Sequence, residues 1–478
     1  KVSVYDKTYK LFKAGDSGTF DWLVDQNGNP TIRMACKNEK KCDTHQTFRK
    51  GTQSDEWQLV HEIEKSPSTG YITDIFSPIS IGENDSELIT LSREGTDNTT
   101  KVKVFNTETK TFGATLFSDE KYDVHRLIKD PVTGKLVGIS IFSSKEEYTM
   151  FDPIYTKHYE NIEQKLNTNE SFEVIGDILR SRFVLVWVSS ANNPGTIYRY
   201  DTESMDLKFA FETNDRLKSV LNSSSNQQVF KMRDGYELDV LLHLPNAQTE
   251  DTPLIVLPHG GPHSRDYMRY DNWVQFFNAN GYAVAQVNFR GSTGYGVSHM
   301  SAGYGQWGGV MQNDIIDSVQ ALHANGIGSP SSTCIFGFSY GGYSALMTGA
   351  LSPELFSCVV SAAGPTDLAK QLKYDRAAFN DEAYAQLQTS MGRDKNKLKE
   401  ISPIHLSEKM SLPTLLLHGE RDSRVSVHQS RSMFKSLKKL DKDVTFIELS
   451  EADHNGWTID TETEFLAAVE QFIATHTR

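Results

Sequence analysis

The sequence predicts a chain of two parts, an all-β part followed by an α/β part built on a mostly parallel sheet. Three observations lead to this prediction. Residues 1 to about 218 alternate apolar and polar positions in short runs, and from about residue 219 apolar strands alternate with helical stretches. A Gly-x-Ser-x-Gly motif, Gly337-Phe338-Ser339-Tyr340-Gly341, then lies between a strand and a helix. We therefore expect domains at residues 1–218 and 219–478.

The composition is that of a globular protein and argues against two classes of partner. Hydrophobic residues make up 38% and charged residues 23% of the 478 residues, which is enough apolar material for a large core. The 49 Lys and Arg against 62 Asp and Glu give a net charge of −13 with no basic run, so we expect no nucleic-acid partner. Since no stretch of about 18 apolar residues occurs, we expect a soluble chain without a membrane span.

Compartment and assembly stay open at this point. The chain begins at Lys1 with no Met or signal-peptide pattern before it, so we expect a processed or trimmed chain. Both the cytoplasm and the periplasm fit, and the composition is compatible with a homo-oligomer.

The all-β part contains a repeated strand. Similar strands at residues 2–6, 102–106, 148–152 and 197–201 end in Asp or Asn at positions 6, 106, 152 and 201. If the first gap holds two units, the period is about 48 residues, close to one four-stranded propeller blade. We therefore expect about four blades of a β-propeller, which is incomplete at its N-terminus because the chain opens on the repeated strand. The alternative is an ordinary antiparallel domain, in which strands also resemble one another.

The α/β part follows a strand–helix alternation. A hairpin is expected at 229–244, and the apolar runs that follow indicate strands buried on both faces of a sheet. These strands lie at 254–257, 283–288, 333–338, 358–362, 414–418 and 444–449, with helices at 312–325, 341–351, 427–440 and 463–475.

The four cysteines fall into two pairs. Cys334 and Cys358 sit in apolar strand-like runs, which favours free cysteines in the core. Cys36 and Cys42 could close a hairpin with a disulfide in an oxidising compartment, and we leave that open. A metal site at Cys36 and Cys42 is disfavoured because the spacing lacks the paired partners of a zinc site.

The Gly-x-Ser-x-Gly motif predicts a nucleophile. In a nucleophile elbow the serine is held on a strained turn between a strand and a helix, and glycines at Gly337 and Gly341 are needed because neighbouring segments come too close for side chains. Ser339 would then stand above the sheet. The motif in this context predicts the α/β-hydrolase fold.

A serine hydroxyl needs a base and a group that orients the base. In this fold they follow the serine in the order acid, then histidine. His454 lies in a loop after the strand 444–449, and Asp422 in a loop after the strand 414–418, at the strand ends where active-site groups collect. By position alone the choice of acid stays open. The competing residues are Glu420 and Asp453 for the acid, and His418 and His428 for the base.

The developing oxyanion needs N–H donors. One is expected at the amide after the nucleophile, that of Tyr340. The second is expected in the turn His259-Gly260-Gly261-Pro262, where glycines allow the backbone to approach a substrate and expose the amides of Gly260 and Gly261. The alternative is a simple Gly-Pro turn.

These residues resemble the prolyl oligopeptidase family of serine peptidases, especially its acylaminoacyl-peptidase-like branch. The matching motifs span the α/β part in order: His259-Gly260-Gly261-Pro262, Asn288-Phe289-Arg290-Gly291-Ser292-Thr293-Gly294-Tyr295-Gly296, Gly337-Phe338-Ser339-Tyr340-Gly341-Gly342-Tyr343, His418-Gly419-Glu420-Arg421-Asp422-Ser423-Arg424-Val425 and the His454 loop.

The resemblance implies specific roles. It implies a triad of Ser339, Asp422 and His454, with the amides of Tyr340 and the Gly260-Gly261 turn as the oxyanion hole. It implies that Arg424 holds a substrate carbonyl, the alternative being a surface arginine in an ion pair.

The resemblance also implies a propeller that restricts entry to short peptides, although such propellers usually have more blades than these residues can supply. Dipeptidyl peptidases of the family capture a substrate's amino terminus with an adjacent pair of glutamates, and we assign no such pair in residues 1–218.

We therefore expect a serine peptidase that hydrolyses short peptides in oligopeptidase, dipeptidyl-peptidase or acylaminoacyl-peptidase mode, and that requires no metal or organic cofactor. The alternatives are a carboxylesterase of the same fold and a non-catalytic propeller that binds partners. Leu368 and Tyr374 are expected either to line the substrate pocket or to pack in the core.

Overall fold

The structure is a computed structural model. It describes residues 18–25, 28–39, 42–51, 56–67, 69, 73–217, 223–249, 251–455 and 457–477. Among these residues, no helix is both long and apolar enough to cross a membrane.

The first part of the described chain forms four antiparallel sheets in sequence order. Three of them have four strands and one has three. The strands are β1 (Thr19–Val24), β2 (Pro30–Cys36), β3 (Thr44–Lys50), β4 (Trp57–Glu64), β5 (Ile75–Ile81), β6 (Glu87–Arg93), β7 (Lys101–Asn106), β8 (Thr111–Phe117), β9 (Val124–Lys129), β10 (Leu136–Phe142), β11 (Glu146–Met150), β12 (Ser171–Ile175), β13 (Phe183–Ser190), β14 (Asn193–Asp201) and β15 (Leu207–Glu212).

The predicted repeat corresponds to a fixed place in these sheets. β7, β11 and β14 carry three of the repeated strands, and each is the third strand of its sheet in chain order. The fourth repeated strand, at 2–6, lies outside the described residues, as does the expected boundary between 218 and 219. The domain limits 1–218 and 219–478 therefore stay a prediction.

Among the described residues, one α-helix interrupts this all-β region, and the sequence pattern did not predict it. Helix α1 (Pro153–Glu163) follows β11 directly. The Asp152 side chain accepts hydrogen bonds from the Ile154 and Tyr155 amides, and proline occupies the first turn, where no intrahelical N–H bond is lost. Tyr155 and Ile162 of α1 pack into the same hydrophobic cluster as Val186 of β13.

The second part is an eight-stranded sheet with helices on both faces. Its strand order is β16-β17-β19-β18-β20-β21-β22-β23, and the pairs from β19 to β23 are parallel. The elements are β16 (Ser224–Lys231), β17 (Glu237–Leu244), β18 (Leu254–Val256), α2 (Asn272–Ala279), β19 (Ala283–Val287), α3 (Gly296–Ser301), α4 (Val310–Ala324), β20 (Thr333–Phe338), α5 (Tyr340–Leu351), β21 (Cys358–Ala362), α6 (Leu368–Ala378), α7 (Asp381–Met391), α8 (Lys395–Glu400), β22 (Thr414–Gly419), α9 (His428–Lys439), β23 (Val444–Leu449) and α10 (Ile459–Thr477).

The central strands are buried on both faces, as their continuous apolar runs predict. Along β18, Leu254 and Val256 belong to one hydrophobic cluster, and Ile255 belongs to the cluster on the other face. Successive side chains of a strand point to opposite faces, so the sheet has two cores. Because the ends of β20 and β22 lie within this packed sheet, the loops that follow these two strands are anchored by it.

The prediction of free cysteines in the core is wrong. Cys334 and Cys358 are fully buried, but they are joined by a disulfide across β20 and β21. The parallel register places the two residues opposite each other with their Cα atoms 4.7 Å apart. The pairing that was left open, Cys36 with Cys42, is also a disulfide. Strand register, which the sequence does not display, decides the first of these pairs.

The two parts contact each other through hydrogen bonds from backbone amides to side chains and through an ion pair. The Gly296 amide donates to Asp123 Oδ2 at 3.0 Å, and the Ser298 amide donates to Asn98 Oδ1 at 2.9 Å. Lys121 Nζ also lies 2.8 Å from the buried carboxylate of Asp239 on β17. The loop before β7 and the segment before β9 thus pack on the first turn of α3.

Candidate active site

Ser339 occupies the sharp turn between β20 and α5. Its φ of 59° lies in the left-handed region, which non-glycine residues rarely adopt. Backbone strain of this kind persists only where surrounding structure holds it. The Ser339 amide donates to the Ala362 carbonyl at 2.9 Å, and the Ser339 carbonyl accepts from the Tyr343 amide at 3.1 Å, so both sides of the turn are anchored.

The glycines of the turn are required by close approach. A Cβ atom at Gly337 would lie 2.2 Å from the Gly341 carbonyl oxygen, and one at Gly341 would lie 2.2 Å from the Pro258 carbonyl oxygen. Both distances are far below van der Waals contact. The turn therefore packs against itself and against the strand that leads into the His259-Gly260-Gly261-Pro262 loop.

Three side chains from separate loops meet at this turn. His454 Nε2 lies 3.0 Å from Ser339 Oγ, and His454 Nδ1 lies 2.6 Å from Asp422 Oδ2. Since a carboxylate only accepts, Nδ1 carries the proton of a neutral imidazole and Nε2 is free to accept the Ser339 proton. The structure thus brings together the three residues that the sequence analysis selected, separated by 115 and 32 positions along the chain.

Asp422 is held as a carboxylate. Burial alone would raise its pKa, but hydrogen bonds from His418, from His454 and from the Val425 amide outweigh burial and hold the pKa well below its usual range. Its Oδ1 accepts from the amides of Arg424 and Val425, each at 2.8 Å. The negative charge therefore stays beside His454 at neutral pH.

His418 contacts Asp422 in a way that the sequence analysis missed. His418 Nε2 lies 2.7 Å from the Val425 carbonyl and 3.3 Å from Asp422 Oδ2, and Nδ1 lies 2.7 Å from Ser430 Oγ. Because the carbonyl only accepts, Nε2 carries the proton and Ser430 donates to Nδ1. The only sequence signal was the place of His418 at the end of β22, four positions before Asp422.

The other candidate acids and bases lie elsewhere. The Asp453 carboxylate accepts from the Ser423 and His454 amides at the surface, and Glu420 Oε2 lies 3.4 Å from Ser450 Oγ. His428 is exposed at the start of α9. Within the described part of the chain, the hydrogen bond to Ser339 Oγ comes from His454 and from none of these three.

The glycine-rich loop reaches the serine. A Cβ atom at Gly260 would lie 3.6 Å from Ser339 Cβ, so this backbone passes directly beside the nucleophilic side chain. His259 Nδ1 donates to the Gly260 carbonyl at 2.8 Å, and burial lowers the pKa of His259 to about 4, which keeps it neutral. The peptide bond between Gly260 and Gly261 is planar and trans, so the Gly261 N–H points in the opposite direction to the Gly260 carbonyl, which accepts the hydrogen bond from His259.

Arg424 presents its side chain at the surface. Its guanidinium lies 4.4 Å from the centre of the Phe379 ring, and its carbonyl accepts from Gln371 Nε2 of α6 at 3.0 Å. Among the ion pairs between described residues, none includes Arg424. The guanidinium thus lies over the aromatic ring.

Leu368 and Tyr374, which were expected either to line the substrate pocket or to pack in the core, differ in their surroundings. Leu368 is fully buried in a hydrophobic core cluster, as its core alternative predicts. Tyr374 is 41% exposed, and its hydroxyl donates to the Ser423 carbonyl at 3.0 Å, next to Asp422.

The all-β part does contain one adjacent pair of glutamates, Glu146 and Glu147. Glu146 is buried and accepts from Arg126 Nε and from Ser140 Oγ, each at 2.6 Å. Glu147 accepts from Ser143. The Glu146 carboxylate is therefore occupied by contacts inside its own sheet.

Together these features define the class of protein: an α/β-hydrolase domain with a serine–histidine–aspartate arrangement, joined to antiparallel sheets. Residues 268–478 match the model of the prolyl oligopeptidase family. The matched segment is thus similar to this family, as the motifs predicted.

Relatives agree with this assignment. The chain is 29% identical over 377 residues to dipeptidyl aminopeptidase BIII of Pseudoxanthomonas mexicana, covering 75% of this chain and 54% of that protein. It is 26% identical over 211 residues to the acylamino-acid-releasing enzyme of Arabidopsis thaliana, covering 42% of this chain and 27% of that protein. The chain thus spans about half the length, or less, of these curated relatives.

A solved structure confirms the fold class. A puromycin-hydrolyzing peptidase of Mycobacterium tuberculosis superposes with a TM-score of 0.75 at 18% identity, covering 98% of this chain and 71% of that chain. The agreement extends over the antiparallel sheets as well as the α/β part. The predicted combination of a propeller-like all-β part and an α/β-hydrolase domain is therefore correct.

Proposed function

We propose that this chain is a serine peptidase that hydrolyses short peptides through an acyl-enzyme on Ser339. The observation that carries the proposal is the unbroken series of contacts from Ser339 Oγ to His454, at 3.0 Å, and from His454 to Asp422, at 2.6 Å. The match of residues 268–478 to the prolyl oligopeptidase family supports a peptide substrate.

The proposed reaction begins with a proton transfer. His454 Nε2 takes the Ser339 proton as Oγ attacks the scissile carbonyl carbon, and the Asp422 carboxylate stabilises the imidazolium that forms. His454 then returns the proton to the leaving amine, which departs as the acyl-enzyme forms. Water, activated by the same imidazole, attacks the ester carbon and releases the acid product and Ser339.

The oxyanion is met by backbone amides. Tyr340 begins α5, and the first N–H groups of a helix have no carbonyl partner within the helix. We assign Tyr340 and the Gly260-Gly261 turn as the donors, with His259 orienting the second peptide unit through its 2.8 Å bond to the Gly260 carbonyl. Donors aimed in advance at the developing charge contribute several kcal/mol to transition-state stabilisation, about 2.7–4 per donor.

Arg424 is the proposed substrate-binding residue. Its backbone amide donates to Asp422, so the guanidinium starts from a position beside the reacting groups. A guanidinium can donate two parallel hydrogen bonds to carbonyl or carboxylate oxygens of an extended peptide.

The test combines active-site labelling with substrate profiling. A fluorophosphonate probe should label the folded protein, mass spectrometry should place the label on Ser339, and Ser339→Ala should abolish it. Ser331→Ala, an exposed serine in the same part of the chain, is the matched control and should label normally. The proposal would be contradicted if the folded protein is not labelled, or if labelling persists in Ser339→Ala.

A library of short peptides with free and blocked amino termini then identifies the mode of cleavage. Hydrolysis of peptides or aminoacyl nitroanilides supports a peptidase. The competing carboxylesterase predicts turnover of p-nitrophenyl esters with no turnover of any amide. Such a result would agree with Ser339 as the nucleophile and would contradict the proposal that the substrate is a peptide.

A further inference from the structure

Three side chains of types that bind metals lie close together in the hairpin between β2 and β3. They are distant in sequence from the proposed catalytic residues. Cys36 ends β2 and pairs in register with His45 of β3, and Cys42 lies in the connecting loop, bonded to Cys36. One ligand atom each from Cys36, Cys42 and His45 lies within 4.8 Å of the others, and all three residues are half-buried. The third residue, which the cysteine spacing did not reveal, comes from the strand register.

We propose that reduction of the Cys36–Cys42 disulfide converts this hairpin into a binding site for a soft divalent cation, Zn²⁺, held by two thiolates and the His45 imidazole. The site is independent of the proposed peptidase activity. It would be empty in the oxidised chain and filled in the reduced chain, so the hairpin has two alternative cross-links.

The chemistry balances with a thiol reductant. Two small thiols transfer two electrons and two protons, which breaks the Cys36–Cys42 bond and leaves two thiols together with one disulfide of the reductant. Zn²⁺ then displaces the two thiol protons and binds both sulfurs. One proton is released for each thiolate formed, and no oxidation state changes in this second step.

The spacing suits a tetrahedral ion. With Zn–S bonds of about 2.3 Å, neighbouring ligand atoms of a tetrahedral site lie about 3.8 Å apart. The three ligand atoms already lie within 4.8 Å of one another, so the sulfurs need to separate only from bonding distance to contact distance. Three protein ligands leave a fourth position for water, because the residues are half-buried rather than enclosed.

The surroundings favour a bound cation. The negative charge of the Glu382 carboxylate acts on His45. Glu382 belongs to the first turn of α7, so the site lies where the first sheet faces the α/β part. The Glu382 carboxylate adds negative charge beside the ion.

Zinc binding to the whole chain tests the proposal. The oxidised protein and the protein reduced with a phosphine, which does not itself bind zinc strongly, are each dialysed against Zn²⁺ and analysed for bound metal. We expect about one zinc per reduced chain and none above background in the oxidised chain. With Co²⁺ as the probe, the reduced chain should show thiolate-to-metal charge-transfer absorption. Equal zinc content in the two forms would overturn the proposal.

Variants locate the site. Cys36→Ser, Cys42→Ser and His45→Gln should each weaken binding in the reduced chain by more than the roughly 10- to 100-fold cost of disturbing an outer-shell partner. His61→Gln, a half-buried histidine on β4 of the same sheet, is the matched control and should keep the affinity. Circular dichroism checks that each variant is folded. Full affinity in folded His45→Gln, or in either serine variant, would show that the zinc binds elsewhere.

Discussion

His418 and Asp422 are in contact inside the α/β part, with His418 Nε2 3.3 Å from Asp422 Oδ2. The same oxygen lies 2.6 Å from His454 Nδ1, so one carboxylate oxygen faces two imidazoles. Both His418 and Asp422 are buried. His418 is thus a positioning residue, which acts through the proposed catalytic acid and does not touch Ser339 itself.

Replacing His418 should slow catalysis without weakening substrate binding. His418→Gln removes a hydrogen bond to a charged group, worth about 1.5–3 kcal/mol, so kcat should fall by roughly 10- to 100-fold with KM nearly unchanged. A less firmly held Asp422 stabilises the His454 imidazolium less. The midpoint of the rising limb of the pH–rate profile should therefore move to lower pH, which a purely structural loss would not produce.

The neighbouring histidine provides the control for this experiment. His428 is exposed at the start of α9, and His428→Gln should leave kcat, KM and the pH profile unchanged. Wild-type kinetics in His418→Gln would contradict the positioning role, as would an equal loss in both variants.

Arg424 should contribute to substrate binding. Arg424→Ala removes a guanidinium that stacks on Phe379, and KM for a peptide substrate should rise by about 10-fold or more with a smaller change in kcat. Arg424→Lys should recover only part of this loss, because an ammonium cannot make the paired contacts of a planar guanidinium. Steady-state kinetics separate the two parameters.

Arg421 provides the matched control for Arg424. It lies in the same loop, is exposed and pairs with Glu451 Oε1 at 2.9 Å. Arg421→Ala should behave as wild type. If KM is unchanged in Arg424→Ala, the alternative of a surface arginine without a role in binding is correct.

Gly341 should tolerate no side chain. The Cβ of Gly341→Ala would lie 2.2 Å from the Pro258 carbonyl oxygen, so the serine turn or the glycine-rich loop must shift. We expect fluorophosphonate labelling of Ser339 to slow by about 100-fold or more, since a displacement of about 1 Å can have that effect. Gly113→Ala is the control, because the nearest atom to its Cβ is 3.8 Å away. Rapid labelling of Gly341→Ala would contradict the tight turn.

Asp266 should make the stability of the fold depend on pH. Burial raises the pKa of this carboxyl to about 8, with a further increase from Asp271 and a decrease from Arg269 and Arg265. Among the described residues, no hydrogen-bond partner faces its buried Oδ2 atom. The folded chain therefore holds a proton that the unfolded chain, with an ordinary pKa near 4, loses at lower pH.

The sign of the effect follows from proton linkage. The contribution of Asp266 to stability is complete below about pH 4 and is lost as pH rises to about 8, by at most about 1.4 kcal/mol per pH unit. Asp266→Asn should remove this slope, so the variant gains stability relative to wild type between pH 5 and 8. Urea unfolding at several pH values measures it, and Asp85→Asn, an exposed position, should keep the wild-type slope. Parallel curves for wild type and Asp266→Asn would refute the assignment.

Local patterns were enough to predict the fold class and the type of chemistry. The strands 333–338, 358–362 and 444–449 were predicted with the same bounds as β20, β21 and β23, because continuous apolar runs mark strands buried on both faces. The serine turn was recognisable because its requirements, glycines around a serine between strand and helix, lie within five consecutive residues. Helix α1 was missed because its cap and first-turn proline are short signals inside a strand-rich region.

The sequence by itself therefore determined the alternation of strands and helices in the α/β part, the serine turn and the residue types available for catalysis. Only the tertiary structure decided which distant side chains touch: His454 with Asp422, His418 on the same carboxylate, Cys334 opposite Cys358, and His45 beside Cys36. The physical reason is that periodicity and turn chemistry act over a few neighbouring residues, whereas strand register and the packing of loops at the sheet edge depend on the whole folded chain.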